Sequence, residues 1–416
     1  MINTKRIVKK FIPKSLLDLR HLWFAWWGSV VYHHPSEELL VIGVTGTSGK
    51  SSTIHWLRQL LEAAGFVVGS LSTVDFYVAG KEKLNYQKMT MLGKMQIQKY
   101  LREMVAAGCQ IAIIETTSEG AVQYRHWFIN YDIIVLTNLY PEHIESHGSF
   151  EKYKEAKKSI FRYVAKCKRK ENRNVLGELI PKVAIVNGES EYANEFLAFS
   201  FDQKLRFVST DAPPTNVLGD HNKYNLAAAA TVARTVGVSE QMLTAYSLEL
   251  SAPPGRIEFI TEAEKRGFRV IVDYAFEPVA ISALYAVVKE LNPKRIIHVF
   301  GSTGGGRDVS RRFTVGKFVG EQADICIVTD EDPYDDDPVG IMNDVATAVK
   351  TTGKSEGKNL FIISDRRDAI NKAIGWALPG DVVLVTGKGS EQCMAVHGQI
   401  VPWDDRVVVR ECLRLR

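Results

Sequence analysis

Cysteine is scarce and scattered: Cys109, Cys167, Cys326, Cys393 and Cys412 stand far apart, with no CxxC pair and no Cys/His cluster. Their scatter argues against a disulfide framework and a zinc site, and for reduced thiols in a cytosolic protein. Surplus charge is also missing, since 52 Lys and Arg against 48 Asp and Glu leave a net +4, too little to argue for nucleic acid as a partner. There is no repeat of short period and no low-complexity tract. No apolar run makes a convincing membrane span: the stretch from Leu16 to Tyr32 carries Asp18, Arg20 and His21 and is too short and too charged. The same region lacks a small-residue cleavage site, which argues against a signal peptide. What is left is the composition of a soluble globular protein, with length enough for two or three domains.

Residues 1–38 form a basic and aromatic segment. Lys5, Arg6, Lys9, Lys10 and Lys14 come first, then Trp23, Phe24, Trp26 and Trp27. Two readings stand: a helix docked on the protein's own core, or one lying in a membrane interface. The second would hold a cytoplasmic protein at the inner face of the membrane.

From residue 40 the chain alternates. "LLVIGVT", "QIAIIET", "YDIIVLTN" and "VAIVN" read as buried parallel strands, and amphipathic stretches such as "SSTIHWLRQLLEAAG" read as helices between them. That predicts an α/β domain over residues 39–252 with its site at the strand ends. Pro253, Pro254 and Gly255 break the pattern. The alternation then resumes through "RVIVDYA", "RIIHVFGS", "ICIVTD", "LFIISD" and "VVLVTGKG", predicting a Rossmann-like α/β domain over residues 253–416.

The segment "VTGTSGKSS" carries the chemistry. A strict phosphate loop needs glycine where Val44 stands, but Gly46 and Gly49 bound the turn and Lys50 and Ser51 open the following helix. Backbone amides and the helix N-terminus can wrap a phosphate, Lys50 can reach the β and γ oxygens, and Ser51 can ligate Mg²⁺. Downstream, Phe150, Tyr153, Lys157, Ile160 and Val164 share one helix face, which puts a lysine among apolar neighbours. Either Lys157 snorkels to the surface, the simpler reading on spacing alone, or it is buried as a neutral amine able to form a carbamate with carbon dioxide. Glu115 at one strand end and His143 after another are candidates to join Ser51 around magnesium.

The order TGTSGKSS, Glu115, TNLYPEHIESHG, YKEAK, GDHNKYNLAAAA, PPGRIE, VDYAFEP, GGGRD, DEDPYDDDP and VTGKGSE resembles the Mur ligases from residue 40 to 416. Within them it is most similar to the branch that adds the third residue, a diamino acid, to the muramoyl peptide of peptidoglycan. The resemblance implies a central ATP-binding domain with a mostly parallel sheet and a C-terminal ligase domain. It also implies an ATP-dependent amide ligase acting through an acyl phosphate. By that resemblance Gly46, Thr47, Gly49, Lys50, Ser51 and Ser52 hold ATP. Ser51, Glu115, His143 and a carbamylated Lys157 hold two magnesium ions. Asn222, Asn225, Arg256 and Asp273 meet the nucleotide, and Arg307 stands near nucleotide and acceptor. Asp332, Tyr334, Gly387 and Glu391 face the incoming amino acid, and the two lobes close like jaws to exclude water.

Departures from the family pattern are specific. Only about forty residues precede the loop, where the family's UDP-gripping domain would stand, so the acceptor is expected to lack UDP or to be presented on a lipid. The diaminopimelate-adding enzymes carry an Asp-Asn-Pro-Arg stretch whose arginine clamps a carboxylate; here Asp332, Pro333 and Tyr334 occupy it. Tyrosine cannot make a bidentate clamp, so lysine or another diamine becomes an alternative, with Asp335 to Asp337 as candidate partners for its cation or else a solvated loop. Phe276 and Ser390 replace usual histidines. A folylpolyglutamate- or cyanophycin-type ligase, and a catalytically silent nucleotide-binding partner at the membrane, are the rival readings. The retention of Lys50, Glu115, His143 and Lys157 together argues against the silent one. Oligomeric state is left open.

Overall fold

The computed structural model describes residues 14–87, 89–142, 144–171, 179–306, 309–396 and 398–415. Two compact units result. The second consists of the chain from Ser251 onward together with two short earlier stretches that start at Leu84 and Val217; the first comprises the rest.

In the first unit, β1 (Leu40–Thr45) is buried along its whole length, as its unbroken apolar run requires. Around it lie β2 (Val68–Leu71), β3 (Asp75–Val78), β4 (Lys81–Leu84), β5 (Ile111–Glu115), β6 (Ile133–Leu136), β7 (Val183–Asn187) and β8 (Gln203–Phe207). They form one sheet in the order β8-β7-β6-β1-β5-β2-β3-β4. All neighbours from β8 to β2 run parallel, and β2 with β3 turns antiparallel. The β2–β4 meander was not legible in the sequence, because its strands are short and lack a continuous apolar run. Parallel register places Val44 beside Glu115 and Thr45 beside Leu136, so the loop after β1, the Glu115 carboxylate and the residues after β6 share one edge. On one face, Leu101, Met104, Ile160, Phe161 and Phe196 make a buried core. The helices Lys50–Ala63 and Asp220–Thr235 pack together.

In the second unit, β9 (Glu258–Phe259), β10 (Arg269–Asp273), β11 (Ile296–Phe300), β12 (Ile325–Val328), β13 (Leu360–Ile362) and β14 (Val382–Thr386) make a sheet ordered β9-β10-β14-β11-β12-β13. Only β9 is antiparallel. Two apolar clusters sandwich it, one including Leu284, Val288 and Val345, the other Ile370, Ile374 and Val409. Asp273 sits opposite Thr386, which brings Asp273 and Tyr274 beside Gly387 and Lys388. The five cysteines are free thiols.

Candidate active site

The loop after β1 depends on two glycines. Gly46 has φ of 151°, and a Cβ there would lie 1.9 Å from the Thr137 hydroxyl oxygen. Gly49 caps the helix Lys50–Ala63 with φ of 77°, and its Cβ would lie 2.0 Å from Asn225 Oδ1. Both backbone angles fall in the region that favours glycine. Asn138, just after β6, braces the turn: its Oδ1 accepts from the amides of Thr47 (3.1 Å) and Ser48 (2.9 Å).

Around this loop the side chains converge. Lys50 Nζ donates to the carbonyls of Gly46 (3.1 Å) and Thr47 (3.0 Å) and lies 4.0 Å from Glu115 Oε1. Ser51 Oγ donates to Glu115 Oε2 at 3.0 Å. Thr73 holds the same oxygen twice, through its amide at 2.8 Å and its hydroxyl at 3.0 Å. Lys157 does not snorkel: it is 1 % exposed, its Nζ donates to Gly46 O at 2.7 Å, and it lies 4.7 Å from the Tyr153 ring centre. Burial, reinforced by the nearby Lys50 charge and opposed by Glu115, holds its pKa well below that of an ordinary lysine. Tyr153 OH donates to Thr47 Oγ1 at 3.0 Å, tying the lysine-bearing helix to the loop. Ser149 caps that helix, accepting from the Lys152 amide at 3.2 Å.

Ser52 is buried in the first turn of the loop's helix. Asn222 and Asn225 are buried on the neighbouring helix, with Asn225 Nδ2 donating to Asn222 Oδ1 at 3.2 Å. A cleft beside them is lined by Asn138, Asn187, Glu189, His221 and Tyr224. His143 and Arg307 lie outside the described residues. A second histidine, His147, stands close by, its Nε2 3.1 Å from Ser118 Oγ and its ring 5.3 Å from Tyr153. Burial lowers its pKa.

A separate constellation forms in the second unit. The Arg256 guanidinium lies 4.3 Å from the Tyr274 ring centre, and its buried Nε has no hydrogen-bond partner among the described residues. Tyr274 OH donates to Glu391 Oε1 at 3.0 Å. Glu391 also accepts from Lys388, which donates to Asp332 Oδ2 at 2.8 Å. Burial opposes the Lys388 charge, but Glu391 and Asp332 outweigh it and raise the pKa. Asp332 spends its other oxygen on the Ala395 amide at 2.7 Å. Asp273 accepts from the amides of Ile257 (2.6 Å) and Ala275 (2.7 Å). Gly387 is left-handed at 99°, where a Cβ would strike Glu331 Oε2 at 2.2 Å. Tyr334 is left-handed at 55° with its amide on Ala395 O. Within the acidic run, Asp336 accepts from the Gly305 amide and Asp337 caps the helix Pro338–Lys350, so neither is merely solvated.

Thr73, Asn138, Tyr274 and Lys388 escaped the reading of the sequence. Thr73 lies on a β2–β3 turn that carries no motif; the others stand inside the quoted motifs, where only the fold shows what each touches.

The donor chemistry fits magnesium in part: Ser51 and Glu115 offer adjacent hard oxygens, as that ion prefers, whereas an unmodified Lys157 amine does not. Among the described residues no three His, Cys, Asp or Glu side chains form a metal cluster, because the candidates here include a serine and a lysine.

A phosphate loop at the edge of a parallel sheet defines a class first, the nucleotide-dependent phosphoryl-transfer proteins. Comparison with known proteins narrows this: the Mur ligase middle domain matches residues 44–233, and the Mur ligase glutamate ligase domain matches residues 255–389. The chain belongs to the Mur ligase family. It is 32% identical to a UDP-N-acetylmuramyl-tripeptide synthetase of Roseiflexus sp. (strain RS-1), covering 97% of this chain and 83% of that protein. It is 31% identical to a UDP-N-acetylmuramoyl-L-alanyl-D-glutamate–2,6-diaminopimelate ligase of Aquifex aeolicus, covering 91% and 78%. A solved 2,6-diaminopimelate ligase superposes with a TM-score of 0.58 at 26% identity, over 91% of this chain and 78% of that one. A Mycobacterium tuberculosis folylpolyglutamate synthase superposes at 0.67 over 89% and 93%, but at 16% identity this is a likeness of fold alone.

Proposed function

We propose that this chain joins a diamino acid to a muramoyl-peptide-like carboxylate in peptidoglycan synthesis. It is an ATP-dependent, ADP-forming amide ligase that uses magnesium. The observation that carries the reading is the gathering of Lys50, Ser51, Glu115 and Lys157 around one glycine-bounded loop.

The acceptor carboxylate attacks the γ-phosphorus of ATP, the bond to the β-phosphate oxygen breaks, and ADP leaves. The incoming amine then attacks the acyl phosphate, and phosphate leaves as the amide forms. Loop amides, Lys50 and the helix N-terminus hold the phosphates; Asn222, Asn225 and the adjacent cleft take the base. Ser51 and Glu115, with Thr73 fixing the carboxylate, would hold magnesium, which neutralises phosphate charge when bound. Burial of Lys157 against Gly46 O, which favours its uncharged form, supports a carbamate there: the neutral amine would add carbon dioxide and lose one proton, giving an anion suited to a second magnesium. Arg256 and Asp273 serve the nucleotide, and Arg256 brings to an anion a buried donor that has no partner among the described residues. His143 is assigned to metal and Arg307 to the transferring phosphoryl group on the family pattern. Glu391 takes the amino group of the incoming amino acid, while Asp332, Tyr334 and Gly387 shape that site. The working place is cytoplasmic and peripheral to the membrane, which the basic, Trp-rich start of the chain supports.

Phosphate release from ATP tests the reading. It should require a muramoyl dipeptide acceptor and a diamino acid together, and no stimulation by any pair would overturn it. Lys157→Ala should be nearly inactive and partly rescued by short carboxylic acids; full activity without rescue would remove the carbamate.

A further inference from the structure

The helix Lys14–Val31 turns its large aromatic side chains outward. Its fully buried positions are small, Ala25, Gly28 and Ser29, flanked by the half-buried Leu17 and Leu22, and the helix packs on the helix Lys94–Ala106. The approach is close, since a Cβ on Gly28 would lie 3.0 Å from Met95 Sδ. His21 meets Lys94 at 2.9 Å. Its outward side holds the large apolar groups: Leu16 is 58% exposed, Leu19 66%, Trp23 50%, Phe24 40%, Trp26 43% and Trp27 41%. At 100° per residue these six fall on one face. Trp23 and Trp27 stack in parallel at 5.9 Å, and Arg20 lies beside Phe24 on the same face. A helix that served only to cover its own core would turn its indoles inward.

We infer that this outer face lies in the headgroup region of an anionic phospholipid bilayer. The inference deepens the peripheral placement proposed above and is independent of the ligase chemistry. Tryptophan is a side chain of the bilayer interface, apolar in body with one polar N–H. The residues before the face supply the complementary charge: Lys5, Arg6, Lys9, Lys10 and Lys14 occur before any Asp or Glu, the first of which is Asp18. Among the described residues no helix is long and apolar enough to cross a membrane, so the contact is a surface one. A protein partner would also accept exposed indoles but gives no reason for the basic run.

Flotation of the full chain with vesicles tests this. It should float with phosphatidylcholine vesicles containing phosphatidylglycerol, remain behind with pure phosphatidylcholine, and partly detach in high salt. The double variant Trp23→Ser, Trp27→Ser should partition at least about tenfold less while keeping its phosphate release in solution. Absence of wild-type binding to the anionic vesicles, or undiminished binding by the double variant, would overturn the proposal. So would a concentration-dependent dimer that the double variant abolishes with no vesicle binding, because the face would then belong to a second copy. A failed ligase reading would appear in phosphate release and leave flotation untouched.

Discussion

Glu331 shows how one residue is displaced by its surroundings. It is 2% exposed beneath Gly387, and burial pushes its pKa from 4.5 up to about 7, with Arg366 pulling the other way. The folded state therefore binds a proton more tightly than the unfolded chain, so this group's contribution to stability is full below pH 4.5 and is lost as pH rises through about 7. Glu331→Gln, which cannot ionise, should flatten the fall in melting temperature between pH 5 and pH 8; an unchanged slope would assign that fall to other groups. Lys157 is the opposite charge type with the same cause, and its burial was half legible. The sequence placed it on an apolar helix face, but spacing could not distinguish a stem lying along the surface from an amine under Gly46.

At the scale of elements, the loop and its helix work as one part. Gly49 and Gly65 bracket the helix Lys50–Ala63, and both have positive φ, at 77° and 91°. Alanine at either carries the left-handed penalty of about 1 kcal/mol. Only at Gly49 does a Cβ also strike Asn225; at Gly65 nothing lies within 4 Å. Gly49→Ala should therefore weaken ATP binding at least about tenfold by displacing the amides that cradle phosphate, while Gly65→Ala leaves it unchanged in a titration. Equal affinities in the two variants would separate the turn from nucleotide binding. The strands that carry the site were readable because burial on both faces gives continuous apolar runs. The β2–β4 meander was not, and Thr73, which fixes Glu115, sits in it.

At the scale of the whole molecule, Lys50, Ser51, Glu115 and Lys157 belong to the first unit and the Tyr274–Glu391–Lys388–Asp332 network to the second, so choice of amine is expected to answer to changes in the second alone. Tyr334 offers one hydroxyl where a carboxylate clamp needs a guanidinium. Lysine should accordingly exceed diaminopimelate in kcat/KM by about tenfold, the scale of one lost charge-assisted hydrogen-bond pair; a preference for diaminopimelate would show that another cation holds its distal carboxylate. By itself the sequence determined the two α/β units, the phosphate loop and the family, because apolar periodicity and short turn motifs are local and survive in one dimension. Tertiary structure alone decided that Lys157 is buried against the loop, that Thr73 and Asn138 brace it, that Asp332 is neutralised by Lys388, and that the indoles of the first helix face outward. Each of those depends on which distant segments meet and how much water they exclude, and spacing along a chain carries no record of either.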